Sequence, residues 1–264
     1  MMLAVNGIPL VAIELKDQLK GQTIENAIAQ WMTDRDPREE AFQFNRRILT
    51  YFAVDLYKVA MSTRLLGSKT IFLPFNQGSN GPGVDGGAGN PQNPDGGYVT
   101  AYLWENVLQN DKFLDILQKF ISYQKETKRI ILPDGKIRTD VTEKIIFPRY
   151  HQLDVVRKLV QHTKDYGPGH NYLIQHSAGS GKSNSIAWTA YRLASLHDAE
   201  NKAIYNSVII VTDRKVLDSQ LQDTINGFDH TLGSVVLIDE KKSSKDLLKA
   251  VQDGKRIIVT TLQK

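Results

Sequence analysis

The chain of 264 residues contains no cysteine. That excludes a disulfide framework, a thiolate metal site and a cysteine nucleophile, and it suits a reducing compartment. No apolar run approaches the ~18 residues that read as a membrane span. The opening stretch, MMLAVNGIPLVAIELK, lacks a basic start and a small-residue cleavage site, so it does not read as a signal peptide. Neither sign of charge dominates: 33 basic residues face 29 acidic ones, a net of +4. Such a balance is compatible with nucleic acid and too weak to argue for it alone. The six histidines are His151, His162, His170, His176, His197 and His230, and none forms a metal-spaced pair such as H-x-x-x-H. Their spacing therefore offers no zinc site. What is there is globular in composition, 41% hydrophobic and 23% charged, and long enough for one large domain or two modest ones.

The first apolar runs, 2–5 and 8–15, flank Asn6-Gly7, a pair suited to a two-residue hairpin turn. Residues 22–32 predict a helix, because Ile24, Ala27, Ile28 and Trp31 recur at helical spacing; Asp36-Pro37 ends it. Runs 48–54, 58–65 and 69–75 read as an antiparallel meander. Residues 77–97 hold eight glycines and three prolines, which reads as a surface loop with a binding loop as the alternative. Residues 102–121 predict one amphipathic helix, with Leu103, Val107, Phe113, Leu114, Leu117 and Phe120 toward the core.

The polar stretch around Pro133-Asp134-Gly135 reads as a join. It divides the chain into 1–130, a linker 131–145, and 146–264. Beyond it strands and helices alternate: 171–175, 183–196, 207–212, 216–225, 234–238, 245–251 and 256–261. That order predicts an α/β domain with a parallel sheet.

The densest chemistry lies in NYLIQHSAGSGKS, residues 171–183. A short apolar run leads into Ser177, Ala178, Gly179, Ser180, Gly181, Lys182 and Ser183, and a helix follows. Glycines let backbone N–H groups turn toward phosphate oxygens, and the helix start adds partial positive charge. Lys182 would neutralise terminal phosphates, and the Ser183 hydroxyl would ligate Mg²⁺. His176 stands where the usual first glycine of such a loop falls, which favours a helicase-type motor over a kinase. Upstream, Gln152 in FPRYHQ could read an adenine edge, since an amide donates and accepts at once. Val235 to Glu240 has the text of a strand ending in a Mg²⁺-holding Asp-Glu pair, but the charged helix start that follows favours reading Asp239 and Glu240 as solvated charge.

FPRYHQ, HSAGSGKS, SVIIVTDRKVLDSQ and IIVTTLQK occur in the order of helicase motifs. With DRDPREEAFQF, KTIFLPFNQG, AGNPQNPDGG and TAYLWENVL, they make the whole chain resemble the restriction (R) subunit of type I restriction–modification enzymes. The resemblance implies a PD-(D/E)-x-K nuclease-like α/β domain followed by a partial RecA-like superfamily 2 motor domain. It implies ATP and Mg²⁺ as cofactors, with S-adenosylmethionine entering only through the assembled complex. It also implies a cytoplasmic protein whose partners are double-stranded DNA and the modification and specificity subunits. Asp213 and Arg214 would touch the DNA backbone. The family's Asp-Glu motif follows the strand matching IIVTTLQK, which makes Asp239-Glu240 a decoy and leaves the motor site incomplete.

Glu14 and Lys16 form an E-x-K, and residues two apart on a strand share a face. The expected arrangement turns Leu15 into the core. The resemblance assigns Glu14 and Lys16 to a Mg²⁺-dependent nuclease centre, with Gln30, or more weakly Gln22, as the glutamine of the following helix. The family's further aspartate has no counterpart, because no acidic residue precedes Glu14. One carboxylate makes a poor Mg²⁺ site, so no competent nuclease centre is expected. Two other readings remain: a stand-alone ATP-binding module that uses Asp239-Glu240, and an inert product that only binds a partner.

Overall fold

The computed structural model describes residues 1–78, 87–131, 137–212, 221, 224–225, 235–238 and 242–262. Asn6 and Gly7 both adopt positive φ, 50° and 82°. Their turn joins β1 (Met2–Val5) to β2 (Ile8–Leu15) as the expected antiparallel hairpin. Helix α1 (Ile24–Thr33) follows. At its start the Thr23 N–H donates to the Asn26 side chain at 2.8 Å, and the Ile24 N–H donates to the buried Asp55 carboxylate at 2.9 Å.

The chain then returns so that β3 (Thr50–Val54) runs parallel to β2, a pairing the linear pattern did not reveal. Strands β4 (Val59–Ser62) and β5 (Leu73–Pro74) complete the expected antiparallel meander. The sheet order is β1-β2-β3-β4-β5. One face packs Ala12, Tyr51 and Ala53 against Ala27 and Trp31 of α1. The Trp31 indole N–H donates to the Phe52 carbonyl at 3.0 Å, and Tyr51 meets its ring edge-on at 5.3 Å. The other face carries Phe52 against Phe75 and Phe147.

The single helix expected over 102–121 is two elements. A π-helical turn, Leu103–Val107, closes with Leu108 N–H donating to Leu103 O, five residues back. The Gln109 side chain then caps α2 (Asn110–Lys119). The wider turn resets the helical phase. Phe113, Ile116 and Phe120 are buried, whereas Leu114 is exposed, so that part of the expected core face is corrected. Strands β6 (Ser122–Ile131) and β7 (Ile137–Ile146) pair as a two-stranded antiparallel ribbon, so most of the segment read as a linker is strand.

Two compact units divide between His151 and Gln152. In the second, α3 (Tyr150–Tyr166) leads to α4 (Lys182–Ala194). Strands β8 (Val208–Thr212), β9 (Val235–Leu237) and β10 (Ile257–Thr261) form a parallel sheet in the order β8-β10-β9. Helix α5 (Ser244–Gln252), capped by the Ser243–Asp246 pair, packs Ala250 against Ile238 and Ile258.

The strand expected over 171–175 does not form. Tyr172, Leu173 and Ile174 have strand-like hydropathy, but a strand needs ladder partners. No described strand pairs with this segment, and Leu173 is 94% exposed. Most of the helix expected over 216–225 lies outside the described residues. No helix among the described residues is long and apolar enough to cross a membrane.

Candidate functional site

Gly179 and Gly181 adopt left-handed φ, 72° and 80°, immediately before α4. Gly181 is the helix N-cap and brings no side chain to the first-turn N–H groups. Ser177, Ala178, Gly179, Ser180, Gly181, Lys182 and Ser183 thus form one loop running into a helix start, which suits an anion. The Lys182 ammonium donates to the carbonyls of His176 and Ser177, at 3.1 and 2.8 Å, and closes the loop on itself.

Gln152, in the first turns of α3, is 3% exposed. Its amide donates to the carbonyls of Gly181 at 2.8 Å and Ser180 at 3.2 Å. A methyl group at Gly181 would overlap that amide nitrogen. Gly181 is therefore required twice, by its φ and by the close approach of Gln152. His176 is shifted toward its neutral form by burial and then by the neighbouring Lys182 charge. An apolar cleft of about 250 Å³ adjoins the loop, lined by Val155, Leu159, Ile186 and Val208, with Lys182 and His176 among its walls. The glycine turns, the ammonium and the Ser183 hydroxyl fit a nucleotide phosphate with its Mg²⁺ in donor type.

In the first unit, Glu14 projects from β2 on the face covered by α1, since its register partner Ala53 lies in the same cluster as Trp31. Glu14 and Lys16 share that face as expected, with side chains 16% and 11% exposed. Leu15 is 53% exposed, which corrects the expectation that it turns into the core. It stands at the end of β2, beyond the cover that buries Val11 and Ile13.

The Lys16 ammonium bonds to the Gln30 side-chain oxygen and stands 3.6 Å from the Glu14 carboxylate. Gln30 is thus brought into the cluster, while Gln22 is exposed at the start of the helix. Sequence reasoning missed Arg35. Just past α1, it reaches the second Glu14 oxygen at 3.3 Å and lies 6.0 Å from the Trp31 ring. No spacing rule announces a partner 21 residues away in the chain.

Mg²⁺ asks for about six oxygen ligands. The cluster supplies one carboxylate, already flanked by two cations. Among the described residues no group of three or more histidines, cysteines or acids converges. These residues do not by themselves fit a Mg²⁺ centre. Asp55, the buried acid nearest in sequence to β3, accepts from Gln18, Ile24, Tyr57 and Lys58 and serves to hold the fold. Asp213, Arg214, Asp239 and Glu240 lie outside the described residues.

Residues 1–69 match the family described as the type I restriction enzyme R protein N terminus. Residues 151–264 match the SWI2/SNF2 ATPase family. Over nearly the whole chain, the similar curated proteins are type I restriction endonuclease subunits. Both matched segments agree with those relatives: the chain is similar to type I restriction endonuclease subunits.

One such relative is the type I restriction enzyme HindI endonuclease subunit of Haemophilus influenzae, 25% identical across 98% of this chain. Another is the putative type I restriction enzyme MjaVIIP endonuclease subunit of Methanocaldococcus jannaschii, 26% identical across 99% of it. This chain spans 23% of the length of each. No solved structure matches it. The Glu14–Lys16–Gln30–Arg35 cluster falls within the matched restriction segment, and the loop of residues 177–183 falls within the matched ATPase segment.

Proposed function

We propose that this chain supplies the nuclease-side segment and the ATP-binding half of a motor lobe in a type I restriction enzyme, which cleaves double-stranded DNA after ATP-driven translocation. The proposed organisation is a PD-(D/E)-x-K nuclease-like domain followed by part of a RecA-like motor domain. Modification and specificity subunits are the proposed partners.

The observation that carries the reading is the loop at the start of α4, gripped by Gln152 from α3 and closed by Lys182. Loop amides, Lys182 and Ser183 would hold ATP with its Mg²⁺, whose bound phosphoanhydride supplies the free energy for movement. Lys182 would exchange the carbonyls of His176 and Ser177 for phosphate oxygens. Gln152, fixed to Ser180 and Gly181, links the loop to the start of α3, so occupancy of the loop is felt at that helix.

Glu14, Lys16, Gln30 and Arg35 make a cationic cluster suited to a phosphodiester and short of metal ligands.

Duplex binding tests the proposal. The chain is expected to bind duplex DNA of arbitrary sequence, with an affinity that falls as salt rises. A non-hydrolysable ATP analogue should alter that binding in the wild type and not in Lys182→Ala. No affinity for duplex at low salt would contradict the reading.

A further inference from the structure

His162 and His170 stand eight positions apart, a spacing that announces no chelate. The structure brings them together. His162 lies on the last turns of α3, and the chain then turns back through Gly167 and Gly169, both at positive φ (76° and 99°). His170 is thereby laid against His162, with ring centroids 5.0 Å apart and planes at 85°. The hydroxyl of Tyr172 lies 2.9 Å from Nδ1 of His162, and Tyr166 packs on the same ring at 4.5 Å.

We propose that His162 and His170 form a two-imidazole site for a borderline divalent transition ion such as Ni²⁺ or Zn²⁺, with Tyr172 as the residue that orients His162. The distances suit it. An ion ~2.1 Å from a ring nitrogen lies about 3.2 Å from that ring's centroid, so two imidazoles on one tetrahedral ion stand about 5.2 Å apart. The observed separation is close to that before any ion enters. The Tyr172 hydroxyl engages Nδ1 and leaves Nε2 as the donor, the arrangement in which an outer partner fixes the tautomer and orientation of a metal-binding histidine. His170 and Tyr172 are exposed, so an ion reaches the pair from solvent.

Among the described residues no third histidine or acid joins them. Water completes the shell, and imidazole donors favour Ni²⁺, Cu²⁺ or Zn²⁺ over Mg²⁺. A bound ion would tie the end of α3 to the segment that runs into the phosphate loop. The site owes nothing to the restriction reading and stands or falls apart from it.

The test is calorimetric titration of the full chain with Ni²⁺ and with Zn²⁺, alongside long-range nitrogen–proton NMR of the histidine rings. The expected result is one ion per chain, with Nε2 shifts confined to His162 and His170. His162→Ala and His170→Ala should each lose most of the binding. Tyr172→Phe should weaken it by about tenfold, the lower end of what loss of an orienting partner costs, and His197→Ala should change nothing. Absence of binding, binding that survives the double substitution of His162 and His170, or equal shifts at His151 or His197 would each overturn the proposal.

Discussion

Alanine at Gly181 perturbs two quantities that can be separated. The residue sits at φ 80°, where an L side chain costs about 1–2 kcal/mol. The new methyl group also meets the Gln152 amide nitrogen, which must swing away from the carbonyls of Ser180 and Gly181. Two such hydrogen bonds are worth roughly 0.5–1.5 kcal/mol each. Gly181→Ala should therefore cost about 2–5 kcal/mol. Gly179→Ala, at φ 72° with open space around its ideal Cβ, should cost only about 1–2 kcal/mol. In a Gln152→Ala background the Gly181 penalty should fall to the Gly179 level. The assay is urea unfolding read by fluorine NMR of 5-fluorotryptophan, because Trp188 on α4 is buried and is the only tryptophan in the second unit. An equal Gly181→Ala cost in both backgrounds would refute the Gln152–Gly181 coupling.

Three further outcomes follow from named contacts. With Mg²⁺ the chain should not nick plasmid DNA above background; robust cleavage abolished by Glu14→Ala would show that the Glu14 cluster is a complete centre. Asp55→Ala should destabilise the first unit by about 3 kcal/mol, because it leaves buried donors such as the Ile24 N–H unmatched; a urea midpoint unchanged within error would reject that role. Burial first and the Lys182 charge second lower the His176 pKa, so Lys182→Ala should raise it, leaving the ring protonated at higher pH than in the wild type. An NMR titration of the ring that moved the other way, or not at all, would reject the Lys182 contribution.

The features legible in the sequence are those set by neighbours in the chain. Asn6-Gly7 needed only its own φ preferences to make the β1–β2 turn, and Gly179 and Gly181 announced the turns of the 177–183 loop by theirs. What escaped depended on contacts from elsewhere. The apolar run 171–175 could not declare whether a ladder partner would stand beside it. A single π turn at 103–107 shifted the phase of the following helix, and periodicity read across the break misassigned Leu114. Leu15 was placed inward on alternation alone, whereas it lies at the exposed end of β2. Arg35 enters the Glu14 cluster only because α1 crosses the sheet and ends above it.

On the proposed function, residues 177–183, held in shape by Gln152, bind the phosphates of a nucleotide. Calorimetric titration of the chain with MgATP, against AMP and against Lys182→Ala, tests it most directly. Weak saturable binding of ATP is expected, lost with AMP and lost in Lys182→Ala. Equal heats for ATP and AMP, or ATP binding unaltered by Lys182→Ala, would contradict it.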